Sequence, residues 1–245
     1  MELGEIISDA IKYPLNNVKA LLIYIVLSII MALVLVFGGV GLVGASQASG
    51  AAAGGLGIGG IIAILIAICI GLLIEGYMLD VVKFGIARDQ GSPDVDIGRQ
   101  VINGIKYIIV MFIYFLIPII VMALLSKWQT LALIVGIILF IVFGLAFLMA
   151  ACKLAETESL GAALNIGEAI KDISKVGFVK ILAILIVFVI LSIIVGFIVS
   201  IFGDGSIGGT IGAIINGICT VYLTFFYNRA IGLAYSDEEL TRYAI

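Results

Sequence analysis

The chain contains no histidine. That removes the commonest general base and the commonest metal ligand. Its three cysteines, Cys69, Cys152 and Cys219, lie in apolar segments without C-x-x-C spacing. Structural zinc takes about four N or S donors, so these thiols read as small buried hydrophobes. No metal and no cofactor is expected. Charge is also scarce: 12% of the 245 residues are charged, where a soluble domain carries about 25%. The net charge of −3 is too small to point to a partner, and nothing suggests nucleic acid. Phosphate-binding P-loops, Ser elbows, H-E-x-x-H pairs and N-x-S/T acceptors are all missing from the sequence, so no catalytic residue is expected and the chain does not read as an enzyme. A secretory leader is not expected either, because Glu2, Glu5 and Asp9 precede a long first apolar run.

Apolar residues fill the space the charges leave. They make up 63% of the chain, with a mean hydropathy of +1.33. Lys19 and Glu75 enclose 55 uncharged residues; later pairs of charges enclose 20, 25, 23 and 24. A spanning helix needs about 20 apolar residues. The first interval therefore holds two spans and each of the others one. Six are expected: Leu21–Val43, Ile58–Leu79, Tyr107–Leu125, Thr130–Ala151, Val179–Phe202 and Ile207–Phe226. The runs are continuously apolar, which favours helices over alternating barrel strands. The fold class is all-α, a polytopic membrane protein with six transmembrane helices as three hairpins, in one transmembrane domain over residues 1–245.

Gly39, Gly41 and Gly44 spell G-x-G-x-x-G in "GGVGLVG". A dinucleotide fingerprint must follow a strand and open a helix; this one ends a spanning helix, so no nucleotide is expected. Glycines there, and the pairs Gly50/Gly54, Gly55/Gly59 and Gly208/Gly212, suit close helix packing instead.

With six spans, 12 of the 13 basic residues fall on one side and only Lys127 on the other. The positive-inside rule makes that side cytoplasmic, with both termini on it and the cell membrane as location. Three segments of this side resemble one another: "LGEIISDAIK" (3–12), "IGRQVINGIK" (97–106) and "IGEAIKDISK" (166–175). Each has Gly second and Lys tenth. Their spacing predicts a short cytoplasmic amphipathic helix before each hairpin, apolar side in the lipid. The resulting repeats are 1–88, 89–156 and 157–245. Lys12, Lys106 and Lys175 would then reach toward lipid headgroups.

The stretch Gly76–Pro118, "GYMLDVVKFGIARDQGSPDVDIGRQVINGIKYIIVMFIYFLIP", resembles the central region of an uncharacterised family of archaeal integral membrane proteins. Gly76, Tyr77, Arg88, Pro93, Asp94, Asp96 and Gly104 match in kind, and Val95 departs where that family tends to have an aromatic. Wider relatives of the family resemble the membrane domain joined to some glycerophosphodiester phosphodiesterases. The resemblance implies a helical membrane protein from an archaeal source and brings no catalytic residue with it.

Few residues are candidates for function. Glu75 is the one acidic group inside a span, as a proton or cation site or as an interfacial carboxylate bonded to Tyr77 or facing Lys83. Asn216, with Cys219 and Thr220, gives the sixth span a polar stripe suited to interhelical hydrogen bonds. Pro118 is a candidate kink. The expected role is non-catalytic: to scaffold or organise membrane with the lipid bilayer as partner, as a homo-oligomer or with other membrane proteins. The alternative is a transporter or channel-like protein for a small or lipid-like substrate.

Overall fold

The computed structural model describes residues 1–202 and 206–242, except for the side chains of residues 51, 206–210, 213 and 237–242. Its elements are α1 (Leu3–Asn16), α2 (Val18–Gln47), α3 (Ala51–Ile86), α4 (Ile97–Leu124), α5 (Gln129–Thr157), α6 (Leu160–Ala163), α7 (Ile166–Val176), α8 (Phe178–Ser200) and α9 (Ser206–Arg242). Among the described residues there is no strand. Helices α2, α3, α4, α5 and α8 are long and apolar enough to cross a membrane, so the chain is a multi-pass membrane protein. Only a helix satisfies its own backbone in hydrocarbon without neighbours. Asp204 and the side chains that open the sixth apolar run lie outside the described residues.

The Gly/Ala-rich segment after the first span forms no independent loop. It extends both flanking helices, leaving residues 48–50 as the turn, with Gly50 at φ +64°. Gly41 faces the Leu56 carbonyl and Gly60 of α3, so part of the "GGVGLVG" stretch does pack helix on helix. Gly54, Gly55 and Gly59 face open space, against the packing role expected of them.

Two of the three amphipathic segments are separate helices. α1 stops at Asn17, whose side-chain amide donates to the Tyr13 carbonyl at 3.0 Å and the Gln90 carbonyl at 3.2 Å. α7 stops at Gly177, whose φ of +99° is costly for any residue with a Cβ. The middle segment corrects the expectation. Residues 97–106 are the first turns of the spanning helix α4 itself, because nothing between Lys106 and Tyr107 breaks the helix. The expected burial in lipid is corrected as well. Ile6, Ala10 and Tyr13 of α1, and Ala169, Ile173 and Val176 of α7, are buried against protein, with α1 on α9 and α7 on α5.

The buried core lies at one end. It gathers Ile6, Ala10, Leu79, Val82, Val110, Tyr114, residues 145–147 and 149–152, Ile173, Ile181, Phe226 and Ala230. Every charged cluster described below sits at this same end, called here the charged end. Toward the other, far end, burial falls to small residues: Gly38, Gly60 and Ala67 on α2 and α3, Pro118, Ala132 and Gly136 on α4 and α5, and Gly212 on α9. There the close approaches run between long helices consecutive in the chain. Gly60 meets Leu42, Gly136 meets Met122, and Gly212 meets Val199.

Candidate intramembrane site and its charged collar

At the charged end the helices are tied by four ionic centres. Arg229 of α9 is fully buried; its Nε donates to Asp9 Oδ1 of α1 at 2.8 Å. Its Nη1 donates to the carbonyls of Phe84, at 3.0 Å, and of Asp89. The guanidinium also lies 4.5 Å from the centre of the Tyr13 ring, a cation–π contact. Burial pushes the Tyr13 hydroxyl up to about 12. Lys153 of α5, itself buried, pairs with Glu168 and with Asp172 of α7, the latter at 3.1 Å. Burial alone would raise the Asp172 carboxyl, but hydrogen bonds from Lys175 and Lys153 outweigh it and hold the group below its usual range.

Between α3 and α4 the polarity is reversed. Asp80 of α3 is buried and receives both Arg99 nitrogens, at 2.7 and 2.9 Å, with Gln100 Nε2 at 2.8 Å. Such a bidentate fork is stronger and more directional than a single ammonium contact. The fourth centre is Glu158, in the left-handed region at φ +52° just beyond α5. Its carboxylate takes Lys83 at 2.8 Å, and its carbonyl takes Lys106 at 2.8 Å. The Lys83 hydrogen bond, with Arg99 and Lys106 nearby, holds the Glu158 carboxyl below the usual range.

The sequence offered Lys83 only as a group for Glu75 to face, and offered no partner for Lys153 or Arg229. Asp9 and Asp172 occupy the same place, seventh, in two of the three similar segments. The middle segment has Asn103 there, and no carboxylate answers Lys83 from α4. That alignment was the available signal.

The candidate headgroup lysines fall in different settings. Lys12 is exposed. Lys106 bonds to Glu158 and Asn103, and Lys175 to Asp172. Asp96 caps α4 by accepting from the Arg99 backbone at 3.1 Å, and the Asp94 carbonyl accepts from Gln100. α4 runs without a break through Pro118, which is buried.

Glu75 stands where the core ends. Along α3, residues 76–82 are buried, 70–75 half-buried, and most residues before them exposed. Neither expected partner is there: the Tyr77 hydroxyl is buried without a hydrogen bond, and Lys83 is taken by Glu158. Tyr77 lies two residues on, across the helix, and stacks on Tyr24 with ring centres 4.1 Å apart. Among the described residues Glu75 makes no hydrogen bond and no ion pair. Asn216 and Thr220 are exposed on α9, and neither side chain has a hydrogen-bond partner among the described residues.

Among the described residues no cluster of three His, Cys, Asp or Glu has the geometry of a metal site. No curated protein and no solved structure matches the chain. One family model does, over residues 60–203, more than half of the sequence. With α4, α5, α8 and the Asp80–Arg99 fork inside that match, the chain belongs to DUF4013, a family of proteins of unknown function.

Proposed function

We propose that this is a non-catalytic integral membrane protein that organises lipid and membrane partners around itself, as a homo-oligomer. One observation carries the reading. The far halves of the spans are open apolar surface, while Asp9, Asp80, Glu158 and Asp172 are each spent on holding helices together. A groove of about 270 Å³ between α2 and α9 is lined by Ser28, Ile29, Ala32, Leu33, Val36, Ile214 and Gly217, a lining suited to lipid tails. Such surfaces bind chains of lipid or other helices rather than polar substrates.

In this reading α9 is the sixth span, and α2/α3, α4/α5 and α8/α9 are three hairpins of repeats 1–88, 89–156 and 157–245. The charged end and both termini face the cytoplasm of a cell membrane, by the positive-inside rule. An archaeal source, and kinship with the membrane domain of some glycerophosphodiester phosphodiesterases, rest on the resemblance of Gly76–Pro118 and suit a domain whose part is positional. The test is the mass of the particle in a native-lipid disc. A discrete multiple of the 25.8 kDa chain is expected; a clean monomer counts against the oligomeric scaffold.

The second reading is a transporter or channel-like protein for a small or lipid-like substrate. The unpartnered Glu75 favours it, since intramembrane carboxylates mark ion pathways. Under this reading Glu75→Gln in proteoliposomes abolishes a cation flux that the unaltered protein supports. Equal flux from both proteins sinks it.

A further inference from the structure

We infer that Glu75 is a monovalent-cation site, loaded by a proton or an alkali ion, and reached from the far end of the bundle past Asn216 and Thr220. The inference shares its carboxylate with the transport reading but requires no passage across the membrane, and it is independent of oligomeric state.

The helical period sets the geometry. Glu75 shares one face of α3 with Leu79, Val82 and Ile86, four, seven and eleven residues on. Asn216 and Thr220 share one face of α9 with Tyr227 and Ala230. At the charged end these two faces enter the same buried core. α3 packs on both α4 and α9, and Tyr107 of α4 is among the groups that the charge of Glu75 influences. Toward the far end the same faces open: Ile68 and Ile61 of α3, and Thr220 and Asn216 of α9, are exposed. The exposed residues of both faces lie on the far side of the carboxylate, and the core closes the charged end behind it. α3 and α9 run in the same direction with Gly85 against Gly232. Counted from that crossing, Asn216 lies about 9 Å farther out than Glu75 at 1.5 Å per residue.

The charge balance points to a ligand. A carboxylate in hydrocarbon without a partner is expensive, so it holds a proton or a counter-cation. The cations of the surrounding helices are engaged elsewhere: Lys83 by Glu158, Lys153 by Glu168 and Asp172, and Arg229 by Asp9. Tyr107 and Tyr227 offer hydroxyls, and the chain has no histidine. The counter-charge must therefore come from outside the protein. A single carboxylate is a poor divalent site, which needs six or more oxygens for calcium. A monovalent ion fits, with the Asn216 amide and Thr220 hydroxyl as neutral oxygens on the approach.

The experiment is labelling by a hydrophobic carbodiimide, which attacks protonated carboxyl groups in apolar surroundings. The full chain is used in native-lipid discs, with the modified peptide located by mass spectrometry. At neutral pH Glu75 is expected to label while the other Asp and Glu residues do not, and Glu75→Gln removes the label. Thr220→Phe, which adds bulk to the inferred approach but leaves Glu75 in place, slows labelling severalfold; a thermal melt confirms that each variant is folded. Protection by sodium or potassium at fixed pH identifies an alkali ion as the occupant, and protection by alkaline pH alone identifies a proton. Absence of label at Glu75 in the folded protein overturns the site. Labelling unchanged by Thr220→Phe overturns the route.

Discussion

Arg229→Ala is expected to cost about 3–5 kcal/mol of stability, the loss found when one partner of a buried ion pair is removed. The cost has several sources at one atom group. Asp9 loses its cation, and the Phe84 and Asp89 carbonyls lose their donor. The Tyr13 ring loses the guanidinium above it, and a cavity the size of an arginine opens in a fully buried place. Unfolding followed across a series of dodecyl sulfate fractions in mixed micelles measures the change. Arg229→Lys recovers only part of it, because an ammonium cannot serve Asp9 and two carbonyls in the fixed directions of the guanidinium fork. The double variant Asp9→Asn with Arg229→Met should be less damaging than Arg229→Ala, since it leaves no buried charge unpaired. A double variant as unstable as the sum of its parts would show that the pair itself contributes nothing.

The second large effect belongs to two glycines. A Cβ on Gly76 would stand 1.8 Å from the Gln100 carbonyl oxygen, and one on Gly104 2.0 Å from that of Leu72. The obstruction is backbone, which has no rotamer to change, so α3 and α4 must separate. Gly76→Ala and Gly104→Ala are each expected to cost at least about 3 kcal/mol, the upper part of the usual range for overpacking. Separation also pulls Gln100 and Arg99 from Asp80. Gly39→Ala and Gly55→Ala are internal controls: nothing lies within 4 Å of the added carbon, and alanine favours the helix by roughly 1 kcal/mol. Melting temperatures in detergent should fall for the first pair and hold or rise for the second. A Gly104→Ala protein as stable as the unaltered one would mean that the two helices are not in contact at Leu72.

Spans were legible because hydrocarbon imposes one rule on every residue. Lys127 falls between α4 and α5, but Glu75, Lys106 and Lys153 lie inside helices, because α3, α4 and α5 continue past their apolar runs at the charged end. Separate helices α1 and α7 were legible for the same reason, through their period. The fused start of α4 was not, since periodicity reports a face and says nothing about whether a helix ends. That ending depends on one residue, Asn17 or Gly177, and "INGIKYII" offers none at the needed place. Pairings were hidden for another cause. Asp9 and Arg229 stand 220 residues apart, and a charge near a span looks the same whether it faces water or another helix. Glu75 was visible as an anomaly, but its lack of a partner became evident only when Tyr77 and Lys83 were seen to be directed elsewhere.

Continuity of α4 makes it a lever. No break separates its opening turns, where Asp80 grips Arg99, from Leu124 at the opposite end of 28 residues. α1 and α7 have no such shaft: each ends, at Asn17 and at Gly177, before the next helix begins. Of the three similar segments, only the middle one is rigidly continuous with a spanning helix, so any tilt of its first turns is a tilt of the whole of α4.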